Sequence, residues 1–256
     1  MKRKTLFCMT LILFLILTGC GRRNDGIVRQ DWSHTYDGYP VVYVSPEVSA
    51  QGLAAAYKAL EASGSAAIKL SDTKTDANFV WEDLTGELFQ ILNDPAVIEA
   101  NPAENLTGYD YTVVLSHFRS HSTVGFNGSI KQTAAISVPL AQCLAYGQDP
   151  LRLLAENSKR TVENLDGRIL YINVMDRLSI ESSGITLPDS NQYAIGILAS
   201  YDPVALDQAC IDLLYLIHEG RTFAAQIEAC NGVQTLKYAE SIGLGSRTYA
   251  FFPLDR

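Results

Sequence analysis

Three apolar segments rich in β-branched residues place the strongest limit on the fold of this 256-residue chain. They are the segments 111–115 (YTVVL), 168–174 (RILYINV) and 194–199 (AIGILA). Such near-continuous apolar runs are typical of strands that are buried on both faces. Segments with apolar residues at helical spacing, such as 53–60 and 79–92, alternate with the strand-like runs. We therefore predict one α/β domain with a largely parallel sheet and helices on both faces.

Two Asp-Pro pairs predict where helices begin. Asp149-Pro150 and Asp202-Pro203 each place a carboxylate at the N-cap and a proline at the first helical position. We expect the first of these helices to reach about Leu165 and the second to reach about Glu219. Two shorter helices ending near Ile242 and a closing strand should complete the domain.

The N-terminal residues predict export and lipidation. A positively charged start (Lys2, Arg3 and Lys4) precedes an apolar run from 6 to 17, which is too short for a spanning helix. The run ends in Leu17-Thr18-Gly19-Cys20, which resembles a lipobox. We expect residues 1–19 to be a signal peptide and Cys20 to carry lipid, so that the protein is held on the extracytoplasmic side of the cell membrane. Two or three acyl chains, at about 0.8 kcal/mol per buried CH₂, would anchor it firmly.

Charge and composition indicate how the rest of the chain is organised. Residues 20–38 show no apolar period and are predicted to be a tether, which leaves 39–256 as the folded domain. The whole chain has a formal net charge of −8, and loss of the basic leader makes the remainder more acidic. Such a surface repels nucleic acid and anionic lipid head groups. We expect no nucleic-acid partner and a membrane contact made by the lipid alone.

The five cysteines do not form a recognisable framework. Cys8 would leave with the signal peptide and Cys20 would be acylated. Cys143, Cys210 and Cys230 show no C-x-x-C spacing, and we interpret each as a small buried hydrophobic residue. A Cys210–Cys230 disulfide remains an alternative outside the cytoplasm.

The loops that follow the predicted strands hold the candidate metal ligands. His117 and His121 are four residues apart after the strand at 111–115, a spacing that places both imidazoles on one face of a helix. Asp207, Asp202 or Glu181 would supply an acidic third ligand. The alternative is that both histidines bind loop carbonyl groups.

A glycine pattern in the same loop holds the candidate anion ligands. Gly125-x-x-Gly128-x-x-Lys131 allows successive backbone N–H groups to converge on an anion, with a lysine one turn further on. Arg119 is a second cation nearby, and Asp202 begins a helix that could face the same loop. The alternative is a tight turn that requires glycine.

Four ordered blocks carry a resemblance to a known family. They are VVLSHFRSHSTVGFNGSIK at 113–131, ILYINVMDRLS at 169–179, IGILASYDPVALDQACIDLL at 195–214 and NGVQTLKYAESIGLGS at 231–246. Together they resemble the domain-of-unknown-function family 362, whose members are often labelled uncharacterised iron–sulfur centre proteins. The resemblance extends over roughly residues 40–256 and is strongest after Asp110.

The chain departs from the family pattern where a cluster would need ligands. After the YINVM strand the family carries alternating cysteines, but this chain has ESSG at 181–184. An upstream Cys-Asn-Thr-type motif is also missing, and HFKGH has become HFRSH at 117–121. A cluster typically needs four thiolates, and Cys210 alone stands at a matching family position. The resemblance therefore implies the family fold, and we do not expect an iron–sulfur cluster.

Three functional hypotheses follow. The first is a membrane-anchored lipoprotein that binds a small anionic ligand or a divalent metal through a set of polar loop residues: His117, His121, Lys131, Asp202 and Asp207. The second is an iron–sulfur or metal-dependent redox protein of the same family. The third is a non-catalytic scaffold of the cell envelope. Retention of the histidines, the glycine loop and the aspartates favours the first, although the sequence identifies neither a substrate nor an enzymatic activity.

Overall fold

The computed structural model describes residues 27–30, 33–60, 62, 64–70, 81–100, 105–138, 142, 149–176, 180–181, 194–217 and 220–254. The predicted signal peptide, Cys20 and Cys143 lie outside these residues, and so does the side chain of Glu181. Within the described ranges, no helix is both long enough and apolar enough to span a lipid bilayer.

The described residues form twelve strands and seven α-helices. The strands are β1 (Ile27–Gln30), β2 (Ser33–Tyr36), β3 (Tyr39–Ser45), β4 (Ala66–Leu70), β5 (Val97–Glu99), β6 (Tyr111–His117), β7 (Arg119–His121), β8 (Gly125–Asn127), β9 (Ile169–Met175), β10 (Ile180–Glu181), β11 (Gly196–Ser200) and β12 (Ala250–Pro253). The helices are α1 (Ala50–Leu60), α2 (Trp81–Leu92), α3 (Ser129–Ser137), α4 (Pro150–Asn164), α5 (Pro203–Leu216), α6 (Arg221–Ala229) and α7 (Val233–Ser241).

The main sheet confirms the predicted α/β class. Its strand order is β1-β2-β3-β11-β9-β6-β4-β5, with β12 also paired to β3. Strands β5, β4, β6 and β9 run parallel to one another, and β12 runs parallel to β3. Strand β11 runs antiparallel to both β3 and β9. A second sheet of three short strands has the order β10-β7-β8.

Side-chain alternation along the buried strands creates two apolar layers. On one side of the sheet, Val113 and Leu115 of β6 pack in a cluster with Leu53 and Leu60 of helix α1. On the other side, Val114 of β6 packs in a cluster with residues of α3 and α5. Because both faces are covered, the core strands contain continuous apolar runs rather than alternating ones.

Both Asp-Pro pairs begin helices as predicted. Asp149 accepts a hydrogen bond from the backbone of Leu151 at the start of α4. Asp202 accepts two from the first turn of α5. The second helix ends at Leu216, before the predicted end near Glu219.

Part of the predicted tether is instead a β-hairpin. Strands β1 and β2 pair antiparallel, and β2 continues into β3 through a two-residue turn with Tyr36 opposite Tyr39. The turn residues Asp37 and Gly38 have φ angles of +54° and +81°. Asp-Gly is a preferred pair for this turn because both positions require positive φ. His34 anchors β2 to the domain, since its Nδ1 lies 2.9 Å from the Tyr43 hydroxyl group.

Candidate functional site

A dense group of buried polar side chains lies where β6 and β9 end, next to the small sheet. We call it the polar cluster, and its members are Ser116, His117, Arg119, Ser120, Asn127, Ser129, Asn173 and Asp207. Buried polar groups destabilise a fold unless hydrogen bonds hold them in place. The polar cluster lies at the carboxyl ends of parallel strands, and open α/β sheets bind ligands at that edge. We therefore treat this cluster as the candidate site.

Asp207 joins helix α5 to the start of helix α3. Its carboxylate accepts hydrogen bonds from the backbone nitrogens of Ser129 at 2.8 Å and Ile130 at 3.0 Å. The Nδ2 atom of Asn173 donates a third at 2.8 Å. Burial raises the pKa of Asp207 to about 6, against the lowering effect of these hydrogen bonds. The backbone groups that the glycine pattern offers to an anion therefore hold a carboxylate of the protein itself.

Both glycines of the predicted anion-binding pattern, Gly125 and Gly128, lie so close to neighbouring atoms that a side chain would collide with them. A Cβ atom on Gly128 would lie 2.5 Å from Asp207 Oδ1, so only glycine leaves room for that carboxylate. Gly125 has a φ angle of +88°, and a Cβ there would lie 2.6 Å from the Cα atom of Gly232. The pattern thus satisfies two packing requirements of the fold at once.

Asn127 brings together two of the predicted anion ligands. Arg119 lies directly opposite it in the β7–β8 pair. The Nζ atom of Lys131 donates to Asn127 Oδ1 at 2.9 Å, as does Gln132 Nε2 at 2.6 Å. The Asn127 amide nitrogen donates to the carbonyl oxygen of His117 at 2.9 Å. No local sequence pattern marks Asn127 as a centre of this group, because Arg119 and the carbonyl group of His117 come next to it only when the small sheet forms.

The hydrogen bonds of the two histidines identify their protonated nitrogens. His117 Nε2 lies 2.6 Å from the carbonyl oxygen of Asp176, which can only accept, so Nε2 carries a proton. His121 Nδ1 accepts from the backbone nitrogens of Thr123 at 3.1 Å and Val124 at 3.4 Å. His121 Nδ1 is therefore occupied by backbone donors, whereas donation from His117 Nε2 leaves the lone pair of that ring on Nδ1.

The predicted metal ligands whose side chains the structure describes do not form a metal-binding set. Among the described residues, no group of three or more His, Cys, Asp or Glu side chains is arranged to hold a metal ion. His117, His121 and Asp207 are all described, so they do not form such a set. The carboxylate of Asp207 is instead bonded to three donors.

The cysteines do not fit the cluster that the family label suggests. Cys210 is fully buried near Asn173 and Asp207, and burial raises the pKa of its thiol well above the ordinary value. A protonated thiol is a poor metal ligand. Cys230 is partly exposed and donates from Sγ to the carbonyl oxygen of Ser122 at 2.9 Å. Both thiols are free, so the alternative of a Cys210–Cys230 disulfide is not realised.

The hydrogen bonds of Asp202 go to residues outside the polar cluster, although its charge acts on Asp207. Because β11 is antiparallel to β9, its last residue, Ser200, pairs with Tyr171 and the chain leaves toward the amino end of β9. The Asp202 carboxylate caps α5 and accepts a hydrogen bond from the backbone of Ser246 at 2.8 Å. Burial raises its pKa to about 6. These contacts give Asp202 a structural role, in capping α5 and holding the C-terminal tail.

A small surface cleft of about 90 Å³ lies at the other edge of the sheet. It is lined by residues around the starts of β6 and β9, including Asp110 and Arg168. Asp110 is bonded there to the backbone and hydroxyl of Ser65, which lowers its pKa. None of the predicted site residues lines this cleft, so we assign the candidate site to the polar cluster.

One comparison with known proteins gave a match. A family model described as "Domain of unknown function (DUF362)" matches residues 48–212, which is more than half of the chain. The matched range runs from just before α1 into α5 and includes every member of the polar cluster. Comparisons with curated proteins and with solved structures gave no match.

Proposed function

The chain belongs to the DUF362 family, and from this premise we propose that it is a lipid-anchored lipoprotein whose domain binds a small anionic ligand at the polar cluster. One observation carries the ligand proposal. Arg119 pairs with Asn127 across β7 and β8, and Lys131 is hydrogen-bonded to Asn127, at the edge of the sheet where β6 and β9 end. Two cations held at one ligand-binding edge favour an anion.

The chemistry of these groups suits a carboxylate or a phosphate. A guanidinium presents a planar fork of donors that matches both anions, and an ammonium adds a compact positive charge. Arg119 is only 3% exposed, and electrostatic interactions are stronger in such an environment than in water. Asn127 Oδ1 accepts a hydrogen bond from Lys131 Nζ at 2.9 Å, which positions the ammonium group.

The described residues contain no group of three or more His, Cys, Asp or Glu side chains that could hold a metal, and this supports an anion over a metal. His121 Nδ1 accepts hydrogen bonds within the chain, so this nitrogen is not available to a metal. The Asp207 carboxylate is bonded to the start of α3 and to Asn173. An iron–sulfur cluster held by four thiolates would need more cysteines than the three that remain after Cys8 and Cys20.

Isothermal titration of the purified full chain with inorganic phosphate, and separately with citrate, tests the ligand proposal. We expect Lys131→Met to weaken binding by about tenfold or more, because a hydrogen bond to a charged group contributes about 1.5–3 kcal/mol. Lys58→Met is the matched control, since Lys58 is exposed on α1. Absence of binding by the wild-type protein, or equal loss in both variants, would contradict the proposal.

Lipid attachment has a separate test. We expect cells fed radiolabelled palmitate to label the wild-type protein, and Cys20→Ser to lose both the label and the membrane association. Cys8→Ser is the matched control, because it changes a cysteine that the predicted cleavage removes. An unlabelled wild-type protein would refute the lipoprotein assignment and leave the ligand proposal standing.

A further inference from the structure

We infer that the first turn of α3 is a preformed carboxylate site and that Asp207 occupies it from within the chain. This occupation positions Asn127, just before the turn, and Lys131, within it. The positioning role of Asp207 rests on the proposed function, because it is measured through the affinity for an anion. The carboxylate site itself is independent of that proposal.

The donors at this position are those of an anion site. Helix α3 spans nine residues, Ser129–Ser137, and its first two backbone nitrogens both donate to Asp207. Asn173 Nδ2 shares Oδ1 with the Ser129 nitrogen, and Ile130 donates to Oδ2. Both oxygens therefore have donors, and the positive end of the helix dipole faces the negative charge. The carboxylate is fully buried, so water does not compete for these donors.

The donors are held in place by contacts other than those with Asp207. The Ser129 hydroxyl donates to Asn173 Oδ1 at 2.9 Å, which turns the amide so that Nδ2 faces the carboxylate. The Thr133 hydroxyl donates to the carbonyl oxygen of Ser129 at 2.7 Å one turn further on. Gly128 supplies the space, since a Cβ there would collide with the carboxylate. A free carboxylate would meet the same donors if the Asp207 side chain were removed.

The first turn of α3 also connects Asp207 to the proposed anion site. Asn127 lies immediately before Gly128, and Lys131 follows Ile130 in the chain. Their side chains are bonded to each other at 2.9 Å across that turn. Asp207 fixes Ser129 and Ile130, two of the three residues between them, so a shift of the turn would displace both partners. Asp207 is thus a positioning residue for Lys131, although it lies on a different helix.

Rescue by formate tests the carboxylate site. Asp207→Ala retains the Cβ atom and removes only the carboxylate, and formate is the ion of matching size. We expect Asp207→Ala to lower the melting temperature, and 100 mM sodium formate to raise it by several degrees more than 100 mM sodium chloride does. Leu206→Ala is the matched control, because Leu206 is equally buried on the same helix but contributes no carboxylate to the contact with α3. If formate gives the two variants the same shift, the carboxylate site is refuted.

Phosphate affinity tests the positioning role. We expect Asp207→Ala to weaken binding of inorganic phosphate about tenfold, Leu206→Ala to leave it nearly unchanged, and formate to restore it in Asp207→Ala alone. Equal affinity in the wild-type protein and Asp207→Ala would overturn the positioning role. If the wild-type protein binds no phosphate, the proposed function and the positioning role both fail, whereas the formate shift still decides whether the carboxylate site exists.

Gly128→Ala keeps the inference testable if Asp207→Ala does not fold. Its added Cβ would lie 2.5 Å from Asp207 Oδ1 and would force the carboxylate away from the first turn of α3. We expect a lower melting temperature and weaker phosphate binding, with no gain from formate because Asp207 is still present. A variant with wild-type melting temperature and wild-type phosphate affinity would overturn the inference.

Discussion

The Asp207 carboxylate accepts a hydrogen bond from the backbone nitrogen of Ser129 at 2.8 Å, across 78 residues of sequence. This contact places the first turn of α3 against α5 and beneath the small sheet. It also explains why a glycine loop typical of anion binding lies beside a fully buried acid. The backbone nitrogens that follow Gly128 donate to the carboxylate of Asp207.

Stability should depend on pH through Asp207. Its pKa is raised from the ordinary 3.8 to about 6, so the folded protein binds more protons than the unfolded chain between these two values. The contribution of Asp207 to the free energy of unfolding therefore decreases as the pH rises from about 4 to about 6. Asp207→Asn removes this titration. Urea unfolding across this range should show a larger stability difference between wild type and variant at the acidic end, and parallel curves would contradict the assignment.

Several elements were predictable because their signals are local. The Asp-Pro pairs at 149 and 202 specify helix starts through contacts within three residues. The apolar run at 111–115 specifies a buried strand through composition alone. The hairpin formed by β2 and β3 also had a local signal, Asp37-Gly38, which the interpretation of residues 20–38 as a tether did not use.

The site was less predictable because its contacts join distant segments. Strand β11 runs antiparallel to β9, so the chain leaves its end toward the amino end of β9, and this direction is set by pairing with distant segments. Position 125 requires glycine because a Cβ atom there would collide with the backbone of Gly232, more than 100 residues further along the chain. The sequence identified Arg119 and Lys131 as candidate ligands by residue type. It could not identify Asn127 between them, since an asparagine in a loop has no distinctive pattern.

The C-terminal tail should loosen in Asp202→Asn. Asp202 Oδ1 accepts from Val204 and Ala205, and Oδ2 accepts from Ser246. An asparagine can keep the helix cap through its oxygen, but its NH₂ group would then face the Ser246 N–H. We expect a loss of about 1–3 kcal/mol in the free energy of unfolding, with faster hydrogen exchange confined mainly to residues 246–254. Asp149→Asn is the control, because Asp149 also caps a helix; equal exchange in both variants would be inconsistent with this contact.

Gly125→Ala should destabilise the protein strongly. The residue has a φ angle of +88°, and an added Cβ would lie 2.6 Å from the Gly232 Cα atom. The left-handed region alone costs an L-residue about 1–2 kcal/mol, and the collision with backbone adds to this loss. Gly86→Ala is the matched control, since Gly86 lies in α2 with open space around its Cβ position and should gain up to about 1 kcal/mol. Thermal melts showing equal effects of the two substitutions would refute the Gly125–Gly232 contact.

The two described thiols should differ sharply in reactivity. Cys230 is partly exposed, whereas Cys210 is fully buried and its pKa is raised well above the ordinary value by that burial and by Asp207. Iodoacetamide reacts with exposed thiolates, so it should label Cys230 in the folded protein and Cys210 only after unfolding. Peptide mass spectrometry without a reductant measures both sites, and Cys230→Ser confirms the peptide assignment. Rapid labelling of Cys210 in the native state would contradict its burial beside Asn173 and Asp207, and a disulfide-linked pair of peptides would contradict the two free thiols.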